Sequence, residues 1–342
     1  MRYPKFLEEN GNIGFIAPSF GCVGDPYESA FNNALETFTR MGYKTVLGPN
    51  CRKAEGIGIS AAPEECGKEL NEAYLSKESD VLISCGGGEL MCEDIPYFDF
   101  EAIAKAEPKW FIGYSDNTNF AFLSATIADT AAIYGPCAGS YGMRKWHPAI
   151  EDAFGLLKGE KLSFSSYDGW EMESLKDTDP LAPYNITEKM QLVYGDGKNS
   201  DGVSFGGRML GGCLDCLTTF LGTRFDKVKD FTERYASDGI IWFIESCDLN
   251  VMGIRRCLWQ MREAGWFEHT KGFLIGRPYH YDEPMMGLDR HEAVMGVLRE
   301  FNVPVIMDID LGHLPPMIPF IEGGYAEVKA EGNNLNISYE LK

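Results

Sequence analysis

The 342-residue chain has no run of about eighteen apolar residues, the length a helix needs to cross a bilayer. Its first ten residues lack an apolar core and carry Glu8 and Glu9, so they do not read as a secretory signal. A cytoplasmic protein without a membrane association is expected. Basic residues are few: 31 Lys and Arg face 51 Asp and Glu, for a formal net charge of −20. Such a surface repels a phosphate backbone, which argues against nucleic-acid partners. It aids solubility and could favour a cationic substrate. Framework spacing is absent from the ten cysteines, and a chain of this size needs no staples, so reduced and mostly buried thiols are expected. The one Cys-x-x-Cys, Cys213 and Cys216, falls in an expected helix, with neither the strand context of a redox motif nor the second ligand pair of a zinc site. No metal or cofactor is called for.

A composition of 44% hydrophobic and 24% charged residues fits a globular protein, and the length favours two domains. In the first 140 residues, apolar runs at 13–17, 43–47, 81–84, 110–112 and 131–134 alternate with helical spacing over 27–41, 63–75, 100–106 and 117–128. Strands separated by helices of this length form a parallel sheet covered on both faces, which binds ligands at the carboxyl ends of its strands. Gly86-Gly87-Gly88 and Ser115 both fall at such ends. Between about 140 and 204 the pattern fades into polar, irregular sequence, read as a linker with a possible lid that carries Trp170 on an exposed turn. A second unit follows, with helices over 211–221, 250–264 and 292–301. Its strands fall over 240–244, 272–275 and 303–307, and short antiparallel strands close the chain near 326–330 and 335–339.

Residues 110–120 read Trp-Phe-Ile-Gly-Tyr-Ser-Asp-Asn-Thr-Asn-Phe, a buried strand that breaks at Gly113 and passes into a helix. Ser115 therefore stands on a sharp turn, its hydroxyl exposed and helix-start amides aimed beside it. A serine nucleophile needs both features; a plain N-cap needs only the turn. A nucleophilic serine also needs a base. Of the five histidines, His269 and His291 read as solvated, His147 precedes Pro148 in the irregular region and His280 lies in a polar loop. His313 follows a strand on a loop stiffened by Pro315 and Pro316, a position suited to a general base or simply to a packed histidine. Glu245 ends the run Ile240-Ile241-Trp242-Phe243-Ile244. Acids are rarely buried unless paired, so it either orients an imidazole or caps the following helix.

With these residues in place, the chain resembles the serine L,D-carboxypeptidases, the group that contains the murein tetrapeptide carboxypeptidases and the microcin C immunity proteins. The likeness rests on Ile16-Ala17-Pro18-Ser19, Asn71-Glu72-Ala73, Ser84-Cys85-Gly86-Gly87-Gly88, residues 108–118, Phe243-Ile244-Glu245 and Gly312-His313, in the family's order. It implies an α/β protein with an N-terminal flavodoxin-like parallel sheet flanked by helices, plus a smaller C-terminal α/β domain. Domains are expected at 1–145, carrying the nucleophile, and at 205–342, carrying the Glu and His, with 146–204 between them. The resemblance makes Ser115 the nucleophile, His313 the base and Glu245 its orienting acid, with the amides of Asp116 and Gly87 as the oxyanion hole. Trp170 would stack on substrate. The implied reaction releases a C-terminal D-amino acid from a murein-derived L,D-peptide, without metal or cofactor, in a homodimer. The implied alternative is cleavage of an amide in a peptidyl- or aminoacyl-nucleotide.

Two departures matter: Ser84-Cys85-Gly86-Gly87-Gly88 stands where murein enzymes show an Arg-Gly-Gly-Tyr-Gly type of loop, and Gly211-Gly212-Cys213-Leu214 where the immunity branch carries Gly-Gly-Asn-Leu. Other classes fit less well. Ser115-Asp116-Asn117 occurs in penicillin-recognising enzymes, but these need a Lys-Thr-Gly strand that the chain lacks. A hydrolase elbow needs Gly at 117, which is Asn, and no cysteine occupies the turn as an amidotransferase-like enzyme requires. A ligand-binding protein on the same scaffold is the non-enzyme alternative.

Overall fold

The computed structural model describes residues 1–195 and 202–342; residues 196–201, part of the expected linker, lie outside the described residues. By contacts the chain divides into two compact units. One comprises Met1–Lys161, Glu173–Asn185 and Pro319–Ile321, the other Leu162–Met172, Ile186–Ile318 and Glu322–Lys342.

In the first unit the elements are β1 (Asn12–Ile16), α1 (Tyr27–Arg40), β2 (Lys44–Leu47), α2 (Pro63–Leu75), β3 (Val81–Ser84), α3 (Phe100–Lys105), β4 (Trp110–Gly113), α4 (Thr118–Ala128), β5 (Ala132–Tyr134) and α5 (Pro148–Leu157). Each start has a local cause. Pro63 opens α2 with Glu64 and Glu65 in its first turn, where the fixed φ and the negative charges suit a helix N-terminus. Asp99 caps α3 by accepting from the Ala102 amide at 2.9 Å. Strands β3 and β4 are buried at every position, as a sheet covered on both faces requires.

In the second unit they are β6 (Ser163–Ser165), β7 (Gly169–Trp170), β8 (Glu188–Lys189), β9 (Val193–Tyr194), β10 (Val203–Cys213), α6 (Leu214–Phe220), α7 (Val228–Arg234), β11 (Ile240–Glu245), α8 (Val251–Glu263), β12 (Thr270–Gly276), α9 (Arg290–Leu298) and β13 (Val305–Ile309). Three strands close the chain: β14 (Phe320–Glu322), β15 (Tyr325–Glu331) and β16 (Asn334–Glu340). The first sheet has the order β14-β5-β4-β3-β1-β2, and its β1–β2, β1–β3, β3–β4 and β4–β5 pairs are parallel. The inner run β2-β1-β3-β4-β5 is the flavodoxin-like order, which reverses direction between β1 and β3 and opens a crevice at their carboxyl ends. The second sheet has eight strands, β6-β16-β15-β10-β11-β12-β13-β9. Its centre, β10 to β13, is parallel, and β15, β16, β6 and β9 add antiparallel edges. Burial alternates along β15 and β16, whereas every residue of β11 is buried.

Two local expectations are corrected. The helix expected over 211–221 starts only at Leu214, because residues 208–213 pair in parallel with 240–245 and end with Cys213 opposite Glu245. Pairing with a buried neighbour overrides the local pattern there, and two adjacent glycines weaken any helix. His147 lies not in irregular chain but at the N-cap of α5, where its Nδ1 accepts from the Ala149 amide at 3.2 Å. Among the described residues no helix is long and apolar enough to cross a membrane.

The helix that leaves the Ser115 turn is held by Phe120. Its ring lies 4.8 Å from Phe111, 5.8 Å from Phe98, 5.9 Å from Tyr74 and 6.2 Å from Phe100. Phe120→Ala is expected to cost about 3–5 kcal/mol, read as a lowered urea midpoint at unchanged slope; a loss under about 1 kcal/mol would refute this packing account.

Candidate active site

At the carboxyl ends of β1, β3 and β4, three loops converge in the first unit. Ser115 opens a 3-10 turn directly after β4 and has φ of 62°, a left-handed value that few non-glycine residues adopt. The sharp turn expected from the sequence is therefore present. The backbone amide of Ser115 donates to the Tyr134 hydroxyl at 3.0 Å. Gly87 packs against the serine so closely that a Cβ there would lie 3.1 Å from Oγ. Any side chain at 87 would crowd the hydroxyl, which is why a glycine loop meets the turn.

Two polar side chains next to the serine lace the loops together. Asp116 is buried, and its carboxylate accepts from Ser19 Oγ at 2.6 Å, the Met91 amide at 3.0 Å and Asn119 Nδ2 at 2.9 Å. Asn117 Nδ2 donates to the Gly86 carbonyl at 2.8 Å and the Tyr114 carbonyl at 3.0 Å. The Gly87 carbonyl accepts from the Phe20 amide at 2.9 Å, which fixes the orientation of the glycine peptides. The run Ser-Asp-Asn is thus a set of fasteners around one hydroxyl. The roles of the Asp116 and Asn117 side chains were not legible, since polar residues at a helix start usually cap it.

Burial pushes the Asp116 carboxyl up to about 6 despite these donors. Nearby Asp94 is fully buried, and neither carboxyl oxygen has a hydrogen-bond partner among the described residues. Burial first, then the Asp116 charge, pushes it up to about 9, so it keeps its proton at neutral pH.

In the second unit Glu245 ends β11 with its side chain fully buried, and its Oε2 lies 2.8 Å from His313 Nδ1. An ionised carboxylate only accepts, so Nδ1 carries the proton in this contact. Burial opposes charge on the imidazole, but the Glu245 carboxylate and a hydrogen bond with the Cys247 thiol outweigh it and hold the His313 pKa well above its ordinary value. Gly312 has φ of 104°, and a Cβ there would lie 2.7 Å from Glu245 Oε2, so the Gly-His pair is needed for the glutamate to reach the ring. Glu245 is not a cap: Asn250 caps α8 by accepting from the Gly253 amide at 2.9 Å.

Ser115, Gly87 and Asp116 thus form one cluster in the first unit, and Glu245 with His313 forms another in the second. Trp170 belongs to the second unit. It is 4% exposed in β7 rather than on an exposed turn, because its indole N–H donates to the Lys189 carbonyl at 3.2 Å and Arg277 and Tyr281 cover its ring at 5.1 and 4.8 Å. His291 is not simply solvated, since its Nε2 lies 2.9 Å from Asp308 Oδ2. Among the described residues, the grouping with metal-ligand spacing is the exposed Glu233, Glu268 and His269, which includes none of the side chains above.

The raised carboxyls predict a loss of stability as pH rises from about 4 to about 9. A carboxyl whose folded pKa exceeds its unfolded value near 3.8 stabilises the fold below that value, and the contribution is lost as pH climbs to about 6 for Asp116 and about 9 for Asp94. Asp94→Asn removes the larger of these two contributions. The unfolding free energy of this variant minus that of the parent should therefore rise steadily between pH 5 and 9 in urea titrations; a flat difference would refute the assignment.

A family model of the LD-carboxypeptidase N-terminal domain matches residues 13–135, and one of the C-terminal domain matches residues 206–328. The chain is 26% identical to the microcin C7 self-immunity protein MccF of Escherichia coli, over 97% of this chain and 94% of that protein. It is 27% identical to a probable murein peptide carboxypeptidase of Bacillus subtilis, over 92% and 88%. The crystal structure of an MccF-like protein from Bacillus anthracis superposes with a TM-score of 0.83 at 21% identity, covering 99% of this chain and 100% of that one. MccF in complex with aspartyl sulfamoyl adenosine superposes at 0.80 and 22%, covering 99% and 98%. With both domain models matched in order and relatives aligned along nearly its full length, the chain belongs to the LD-carboxypeptidase family and is MccF-like.

Proposed function

We propose that this peptidase-family hydrolase is a serine carboxypeptidase that cleaves an L,D-peptide bond, with Ser115 as nucleophile, His313 as base and Glu245 as its orienting acid. The observation that carries the proposal is the 2.8 Å contact of a fully buried carboxylate with a histidine Nδ1, which fixes the orientation of the imidazole that a serine nucleophile requires as its base. Ser115 Oγ attacks the amide carbonyl carbon as His313 takes the hydroxyl proton. The carbonyl electrons collect on oxygen, where the Asp116 and Gly87 amides donate to the oxyanion. The C–N bond then breaks, His313 returns the proton to the leaving amine, and water attacks the acyl-enzyme by the same route. No metal or cofactor takes part. In this proposal residues 1–145 carry the nucleophile and 205–342 the Glu and His. The protein acts in the cytoplasm as a homodimer on small murein-derived peptides.

A second substrate class is favoured by the relatives. MccF is an immunity protein whose structure is known with aspartyl sulfamoyl adenosine, so an aminoacyl- or peptidyl-nucleotide amide is the alternative. Cys213 in Gly211-Gly212-Cys213-Leu214 weakens that alternative, and the serine chemistry is the same for both.

Two outcomes are expected. Ser115→Ala should keep its fold and lose about 10³-fold or more in kcat against whichever of a murein tetrapeptide or an aminoacyl-sulfamoyl nucleoside the parent cleaves, together with labelling by a fluorophosphonate probe. A near-normal rate would end the proposal. Glu245→Gln removes the charge that raises the imidazole pKa. The rising acid limb of kcat/KM should therefore move to lower pH while the plateau falls by about 10²–10⁴-fold; an unmoved limb would mean that the base is another group.

A further inference from the structure

Directly after β12, Arg277 is 1% exposed, and its single guanidinium reaches the end of β13 and two points of the loop that follows it and carries His313. Nη1 donates to the Asp308 carbonyl at 3.0 Å, and Nη2 to Asp310 Oδ1 at 2.7 Å and to the Leu314 carbonyl at 3.3 Å. Asp310 is likewise fully buried, and its second oxygen accepts from the Tyr167 amide at 2.8 Å. The Trp170 ring lies beneath the guanidinium at 5.1 Å. His313 stands between the anchored Asp310 and the anchored Leu314, next to Gly312, which packs on Glu245.

Energetics does not account for this arrangement. A fully buried ion pair gives little net stability over an apolar pair of the same volume, because desolvation consumes most of the Coulomb gain. What a planar guanidinium fork supplies that an apolar pair cannot is direction, since its N–H groups point at fixed angles. Here they brace the start, the middle and the end of one seven-residue span, Asp308 to Leu314. The span needs bracing: β13 pairs irregularly with β12 at this point, and Asp308 has φ of 59°.

We propose that Arg277, with Asp310, is a positioning residue that holds the His313 imidazole in register with Glu245 by clamping both shoulders of its loop. The proposal rests on the catalytic role assigned above to His313, but its core, the placement of the ring, can be measured separately.

Two variants test it. Arg277→Met combined with Asp310→Leu removes both charges and leaves none buried alone; Arg277→Lys keeps the charge but loses the fork. Both should keep a cooperative thermal transition, lower kcat about 10- to 100-fold and leave KM within about twofold. Each should cause no further loss when added to His313→Ala. With only five histidines, the imidazole signals of selectively labelled protein can be assigned one by one. The His313 titration should shift by about 0.5 pH unit or more in Arg277→Lys, a change of about threefold in its equilibrium constant. Parental kcat together with an unmoved His313 titration in Arg277→Lys overturns the proposal, even if the charge-free pair does not fold. If His313→Ala itself stays active, the catalytic assignment fails, yet the titration in Arg277→Lys still decides whether Arg277 places the ring.

Discussion

A carboxylate at the end of a strand buried on every side must find a proton donor or give up its charge. Glu245 finds one in His313, and much of the second unit answers to that need. Strand β11 delivers the carboxyl group in register with Cys213 of β10. Gly312 yields the space the carboxylate fills. Asp308 and Leu314, on either side, hang from the Arg277 fork. Desolvating an acid is costly, and here the cost is offset by the well-aimed N–H of His313.

The first unit solves a different problem with the same architecture. A parallel sheet sends all its strand ends to one edge, so loops distant in sequence meet without special effort. What remains is to hold them in register, and Asp116 and Asn117 do this from positions adjacent to the serine they serve. The buried Asp94 beside them is kept protonated by the same crowding, so the cluster accumulates less charge than its composition suggests.

Much of this was legible in the chain because burial leaves a mark in sequence. Continuous apolar runs located β3, β4 and β11, and Gly86, Ser115 and Glu245 lie at or just beyond the carboxyl ends of these strands. His313 stood out by elimination and by its proline-flanked loop. Side chains whose burial depends on partners far along the chain left no such mark. Nothing in the sequence pairs Arg277 with Asp310, whose guanidinium and carboxylate meet at 1% and 0% exposure. Trp170 misled for the complementary reason: a polar neighbourhood suggested solvent, while Arg277 and Tyr281 cover the ring. Strand β10 was hidden by its own glycines, which obscure strand and helix patterns alike.

The left-handed backbone of Ser115 sets folding and chemistry against each other at a single position. Holding a non-glycine residue there costs on the order of 1 kcal/mol, which glycine would not incur. The local backbone geometry at 115 thus runs against the residue that occupies it, and Ser115→Gly would relieve the strain while removing the hydroxyl.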